Sequence, residues 1–177
     1  AEIEDMMVTE SVFFNTENDL FKKAEVRRAL SLAIDREKIA EILTFADPAV
    51  GYIPNGVFDT DYDSSFREES GDLIATTASL DEARSLLSSA GVRSGSFQIT
   101  VRDDEAYLAV AEYLCDVWGD LGFNVNIKKA GTTKETIRDT ILEQDVAYTF
   151  DNYIEAYNNS DFDVILVDMS MPSPDPF

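Results

Sequence analysis

Along this chain the spacing of apolar residues alternates between periods of two and of three to four, and each change of period marks an element. Residues 7–14 (MVTESVFF) predict a strand that ends at Asn15. Over 24–44, Val26, Ala29, Leu30 and Ala33 fall on one helical face, and Asp35 either kinks the segment or caps a second helix running to about Leu43. Residues 45–78, with Pro48, Gly51, Pro54, Gly56 and Gly71 among many acids, predict a long ordered loop over the surface. Ser79 and Glu82 have the spacing of a capping box. They open a helix striped with Leu80, Ala83, Leu86, Leu87 and Ala90 and stopped by Gly91.

The period then drops to two. Phe97, Ile99 and Val101 alternate as a strand, residues 104–121 carry a helical stripe from Leu108 to Leu121, and Phe123, Val125 and Ile127 alternate again after Gly122. Strand, helix and strand in this order predict a parallel pair with a right-handed crossover. Thr132 and Glu135 repeat the capping-box spacing and predict a helix bearing Ile137 and Ile141. A shorter helix with Phe150, Tyr153, Ile154 and Tyr157 inward follows, and then a last strand over 162–167. Strands alternating with helices give an α/β layer structure, a β-sheet packed with helices.

Composition narrows the function more than the fold. A chain of 177 residues that is 45% hydrophobic suits one domain spanning 1–177. No apolar run reaches the roughly 18–20 residues that a membrane span needs, and no basic-then-apolar signal sequence opens the chain. Thirty-five acids against 14 bases leave a net charge of −21, which repels nucleic acid and anionic lipid and favours a cationic ligand or mere solubility. With no histidine, a Ser-His-Asp triad, a Cys-His pair and a His-ligated zinc site are all excluded within the chain. Cys115 is the single cysteine and, among Leu114, Val117 and Trp118, reads as a small buried hydrophobe. Asp59, Asp61 and Asp63 begin like a calcium loop, but Ser64 and Ser70 stand where glycine and a bidentate glutamate are needed, so a solvated acidic loop is expected. No phosphate-cradling glycine motif occurs, and Asp103 and Asp104 read as helix caps rather than acid–base partners. No cofactor, metal or enzymatic chemistry is expected.

Two stretches are more specific. In FFNTENDLFKKAEVRRALSLAIDREKI (13–39), Phe14, Asn15, Thr16, Phe21, Val26, Arg27, Ala29, Leu30, Ala33, Ile34, Asp35 and Arg36 resemble the F/Y-N-T and V-R-x-A-L-x-x-A-I-D-R pattern of peptide-type ABC-transporter solute-binding proteins, family 5. In ADPAVGYIPNGVFD (46–59), Ala46, Pro48, Ala49, Gly51, Ile53, Pro54 and Gly56 resemble that family's A-x-P-A-x-G-x-I-P-x-G loop. SLDEARSLLSSAGV, AEYLCDVWGDLGFNVNI and SDFDVILVDMSMPSPDP resemble later segments in the same order, while 130–148 looks like an added helix.

The resemblance implies one lobe of a type-II periplasmic-binding-protein-like fold: the second lobe alone, cut at both hinge crossings. It places hinge segments at 12–15 and 169–177, with Phe14, Asn15 and Pro172 at the crossings. It implies capture of a small solute, most commonly a peptide or oligopeptide, by closure against a first lobe missing from this chain, and delivery to an ABC-transporter permease. It implies an extracytoplasmic setting, either periplasmic or as a lipoprotein on the cell surface. The alternatives are a family member taking a sugar or metal complex, or a stand-alone interaction module. Ligand-binding residues are expected after strand 97–101 (Arg102, Asp103, Tyr107) and on the return segment (Asp168, Met169, Ser170, Met171). Peptide binders of the family carry an aspartate for the ligand amine at the position that ungapped counting gives to Pro172, so that contact is not expected here.

Overall fold

The structure, a computed structural model, describes residues 7–58, 63–141 and 143–171. In chain order the elements are β1 (Val8–Phe14), α1 (Asp19–Lys22), α2 (Ala24–Leu32), α3 (Arg36–Leu43), α4 (Phe66–Ser70), α5 (Leu80–Ser89), β2 (Gly95–Arg102), α6 (Glu105–Gly119), β3 (Phe123–Ala130), β4 (Thr132–Asp139), β5 (Gln144–Asp151), α7 (Asn152–Asn158) and β6 (Val164–Ser170). Among the described residues, β1-β6-β2-β3 form a four-stranded sheet and β4-β5 a separate hairpin. β2 runs parallel to β3 and to β6, while β1 lies antiparallel on β6, so the sheet is mixed.

Alternation in β2 splits the core. Phe97, Ile99 and Val101 point to one face, where α2, α5 and α6 cover them, and Thr100 points to the other. On the first face Phe21 and Phe97 meet edge-on at 5.0 Å, Phe97 lies 5.6 Å from Trp118, and the fully buried Trp118 donates its Nε1–H to Leu30 O at 3.0 Å. An indole N–H without that carbonyl would be an orphaned donor in an apolar core. The second face is thinner: Ile165, Val167, Ala130 and Tyr153 form its buried cluster, with Phe13, Phe162 and Met169 packed against it.

Motif residues in the first third wire the helices to the chain. Asp35 caps α3, its Oδ1 accepting from Glu37 N at 3.1 Å and Lys38 N at 3.4 Å. Arg36 donates to Ser31 O, Ile34 O and Ala75 O, and Arg27 to Phe21 O and Lys22 O. In the loop, the buried Arg67 donates to Ile53 O at 2.6 Å and to Gly71 O at 3.2 Å. A Cβ on Gly51 would come within 2.5 Å of that guanidinium, which explains the glycine. Gly122, at φ +97°, ends the α6 turn where a Cβ would lie 2.7 Å from Arg93 O.

Four expectations change. Thr132–Asp139 and Gln144–Asp151 pair as the β4–β5 hairpin, not as a helix opened by Thr132 and Glu135. Phe150 lies on β5, and the buried face of α7 consists of Tyr153 and Ala156, while Ile154 and Tyr157 are exposed. Ser79 precedes α5 but makes no side-chain cap; its own N–H donates to Leu32 O at 2.7 Å, and the Glu82 carboxylate pairs with Arg28 at 3.2 Å. The capping box instead sits on Ser65 and Glu68 at α4, inside the stretch read as irregular. Cys115 is half-buried against the core, and burial raises its thiol pKa. Asp59 and Asp61 lie outside the described residues.

Candidate functional site

Parallel strands bring their carboxyl ends to one edge. Arg102, the last residue of β2, pairs in register with Ala130, the last of β3, and the end of β6 lies alongside. In open α/β sheets this is where ligands bind, because loops diverge and leave a crevice.

Five charged or aromatic side chains converge there. Arg102 Nη1 donates to Asp168 Oδ2 at 2.9 Å. Its guanidinium lies over the Tyr153 ring at 4.7 Å and 6.0 Å from the Tyr107 ring centre. Tyr107 Oη donates to Glu10 Oε1 at 2.7 Å, and Tyr153 Oη donates to Leu166 O. Asp103 pairs with Lys129 at 2.6 Å, and Asp104 caps α6 by accepting from Ala106 N and Tyr107 N. The cap fixes the first turn of α6 and so places Tyr107 over the edge.

The electrostatics follow from half-burial. Desolvation raises the Glu10 carboxyl, and the nearby Asp168 charge adds to it, against the Tyr107 hydrogen bond and Arg102. Desolvation and the Glu10 hydrogen bond raise the Tyr107 phenol, so it stays protonated and keeps donating. For Arg102, desolvation is outweighed by the Asp168 hydrogen bond and charge, so its pKa is raised and it stays cationic. The guanidinium has five N–H donors and Asp168 takes one, which leaves a forked donor suited to a carboxylate.

Of the expected site residues, Arg102, Tyr107 and Asp168 belong to this cluster. Asp103 stands beside it on Lys129. Met169 packs under the second sheet face, Ser170 is exposed, and Met171 N donates to Met7 O at 2.8 Å. The expected hinge residues sit elsewhere. Phe14 pairs with Val164 and Asn15 N donates to Asp163 O at 2.9 Å, at the end of the β1–β6 ladder away from Met171. Pro172 lies outside the described residues. Glu10 and Tyr153 were missed. Glu10 stands on the same alternating face as Val8, Val12 and Phe14, and that break in the apolar alternation was its only sequence signal.

A depression of about 280 Å³ lies at the opposite end of the sheet, lined by residues including Asn15, Thr100, Lys128 and Asp163. Another of about 180 Å³ lies where the hairpin meets α7. Both are smaller than a usual ligand pocket of roughly 300–1,000 Å³, and neither is lined by Arg102.

The model of the family described as bacterial extracellular solute-binding proteins, family 5 Middle, matches residues 3–177. No curated protein matches the sequence. Among solved structures, Listeria monocytogenes OppA bound to peptide has a TM-score of 0.72 at 21% identity, over 93% of this chain and 31% of that one. The Escherichia coli murein tripeptide binding protein MppA gives 0.68 at 21% identity, over 98% and 31%. NikZ from Campylobacter jejuni, in complex with Ni(L-His), gives 0.65 at 18% identity, over 96% and 31%. The chain thus spans about a third of the length of these structural neighbours.

Proposed function

Because this chain belongs to the bacterial extracellular solute-binding proteins of family 5, we propose that it is the second lobe of a two-lobed protein that captures a peptide or oligopeptide. The parent holds the solute between the lobes and delivers it to an ABC-transporter permease from an extracytoplasmic position, free in a periplasm or tethered by a lipid anchor. One observation carries the reading: the first and last strands, β1 and β6, bring Val8 and Ser170 together at the edge that holds the Glu10–Tyr107 and Arg102–Asp168 pairs. Crossings to another lobe would leave from that edge, so the charged cluster would face the cleft. The crossings are accordingly proposed at Met7–Val8 and Ser170–Met171. Asn15 instead clips the far end of the sheet.

No covalent chemistry is required. Closure about the two crossings would bury the solute, and the mechanism is the differential affinity of the closed state. Arg102, held in place by Asp168 and the Tyr153 ring, would take a solute carboxylate through its remaining donors. Asp103, Ser170 and Met171 would line the rim.

The test is calorimetric titration of the two-lobed parent with a peptide mixture and then with single peptides, free and N-acetylated. Acetylation is expected to be tolerated, and Arg102→Met to weaken binding at least tenfold, about 1.4 kcal/mol. Equal affinity of the isolated chain and the parent would overturn the half-cleft reading.

A further inference from the structure

The β4–β5 hairpin stands apart from the rest of the molecule. Apart from each other, its strands touch chiefly α7, and among the described residues neither outer edge pairs with the main sheet. The base is fixed: Asn152 N donates to Gly131 O at 3.0 Å, and Asn152 Nδ2 donates to Thr133 Oγ1 at 2.8 Å. Beyond the base, the register puts Thr133 opposite Phe150, Glu135 opposite Tyr148 and Ile137 opposite Val146. Residues two apart share a face, so Ile137, Val146, Tyr148 and Phe150 make an apolar stripe, with Thr133 and Glu135 beside it on the same face. The Tyr148 and Phe150 rings lie 6.4 Å apart. Ile137 is 44% exposed and Tyr148 41%. An isolated two-stranded hairpin is marginal in water, and a stripe like this marks an interaction surface.

We propose that this stripe docks on the opposing lobe of the parent protein. The inference rests on the two-lobed reading above. Two observations choose that occupant. The hairpin springs from the carboxyl end of β3, with only Gly131 between Ala130 and Thr132, beside the Lys129–Asp103 pair. That is the edge where Met7 and Met171 meet, so a lobe joined there lies next to it. The structural neighbours extend well beyond this chain, which covers 31% of OppA and 31% of MppA, so a partner surface of that size is available in cis. The hairpin is thus a second grip between lobes, separate from the Arg102 cluster.

Hydrogen exchange read by mass spectrometry decides it, on peptides spanning 132–151 in the isolated chain and in the two-lobed parent with and without saturating peptide mixture. At least tenfold slower exchange in the parent, slower still with peptides, is expected. Ile137→Asp with Tyr148→Asp in the parent should abolish that protection, lower peptide affinity at least fivefold and leave exchange in β2 and α6 unchanged. Equal exchange in both proteins, in a parent that does bind peptide, overturns the docking inference and leaves the function standing. Protection that depends on protein concentration overturns it in favour of a second copy of the chain. A parent that binds no peptide under any condition sinks the function itself, and the exchange comparison without peptide still scores the hairpin.

Discussion

The two ends of the main sheet are built from the same kinds of polar residue but bonded in opposite ways. At the amino ends of β2 and β6, side chains bond largely to backbone. Asn15 Nδ2 donates to Ser160 O and Phe162 O, and Asp163 accepts from Gln98 N at 3.0 Å as well as from Asn18 Nδ2 at 2.8 Å. At the carboxyl ends, side chains bond mostly to one another: Arg102 to Asp168 and Tyr107 to Glu10. Side-chain-to-backbone bonds specify a conformation, because the backbone partner exists only in that fold. Side-chain pairs can exchange partners when a ligand arrives. One end locks the fold, and the other keeps side-chain pairs that a ligand could displace.

The largest expected effect sets the scale between them. Trp118→Ala removes a fully buried indole and leaves Leu30 O without its donor, so it should cost about 3–5 kcal/mol in chemical unfolding. Next is the locked end. Asp163→Ala removes an acceptor for Gln98 N and Asn18 Nδ2. Its expected cost is about 1–3 kcal/mol, with no change in solute affinity of the parent beyond that of unfolding. A loss of affinity without a loss of stability would break the contrast.

At the carboxyl end the signs reverse. Arg102→Met breaks an ion pair whose side chains are 41% and 28% exposed. Such pairs contribute about 0–1 kcal/mol, so urea unfolding of this chain should barely change while binding by the parent falls. If Arg102→Met instead destabilises the chain as much as Asp163→Ala, the carboxyl end is structural and the comparison fails.

The same contrast explains what the sequence made legible. Asn15, Asp35 and Arg36 carried the family resemblance because backbone wiring demands particular residues at particular spacings. The β-α-β unit was legible because Phe97, Ile99 and Val101 face one packed side. The hairpin was not. Thr132 and Glu135 have cap spacing, and Ile137 and Ile141 are four apart, so a helical template fitted. The alternation of Val146, Tyr148 and Phe150, with five β-branched residues among 132–140, was the competing signal. No core constrains the hairpin's exposed positions, so periodicity there had little to report. The site was half legible: Arg102, Tyr107 and Asp168 follow from their position at strand ends, but Glu10 and Tyr153 join them only through sheet pairing and α7 packing, which no local pattern encodes.

The smallest prediction concerns Glu10 and turns on pH. Its carboxyl is raised above the ordinary value of 4.5, first by desolvation and then by Asp168, with Tyr107 and Arg102 opposing. A group raised in the folded state holds its proton more tightly there than in the unfolded chain. Its contribution to stability is therefore fully present below the unfolded pKa and is lost as pH rises through the folded one. At neutral pH the ionised Glu10 works against folding. Glu10→Gln keeps an acceptor for Tyr107 Oη and removes the charge, so it should melt slightly higher than the native chain at pH 7. The gap should be at most about 2 °C, given solvent screening and the chain length. It should close as pH falls below about 4.5. Thermal melts of both proteins from acid to neutral pH are the measurement. A gap that is constant with pH, or a variant that melts lower at pH 7, would show that Glu10 is held by its contacts more firmly than burial penalises it, and the carboxyl end would then be as locked as the other.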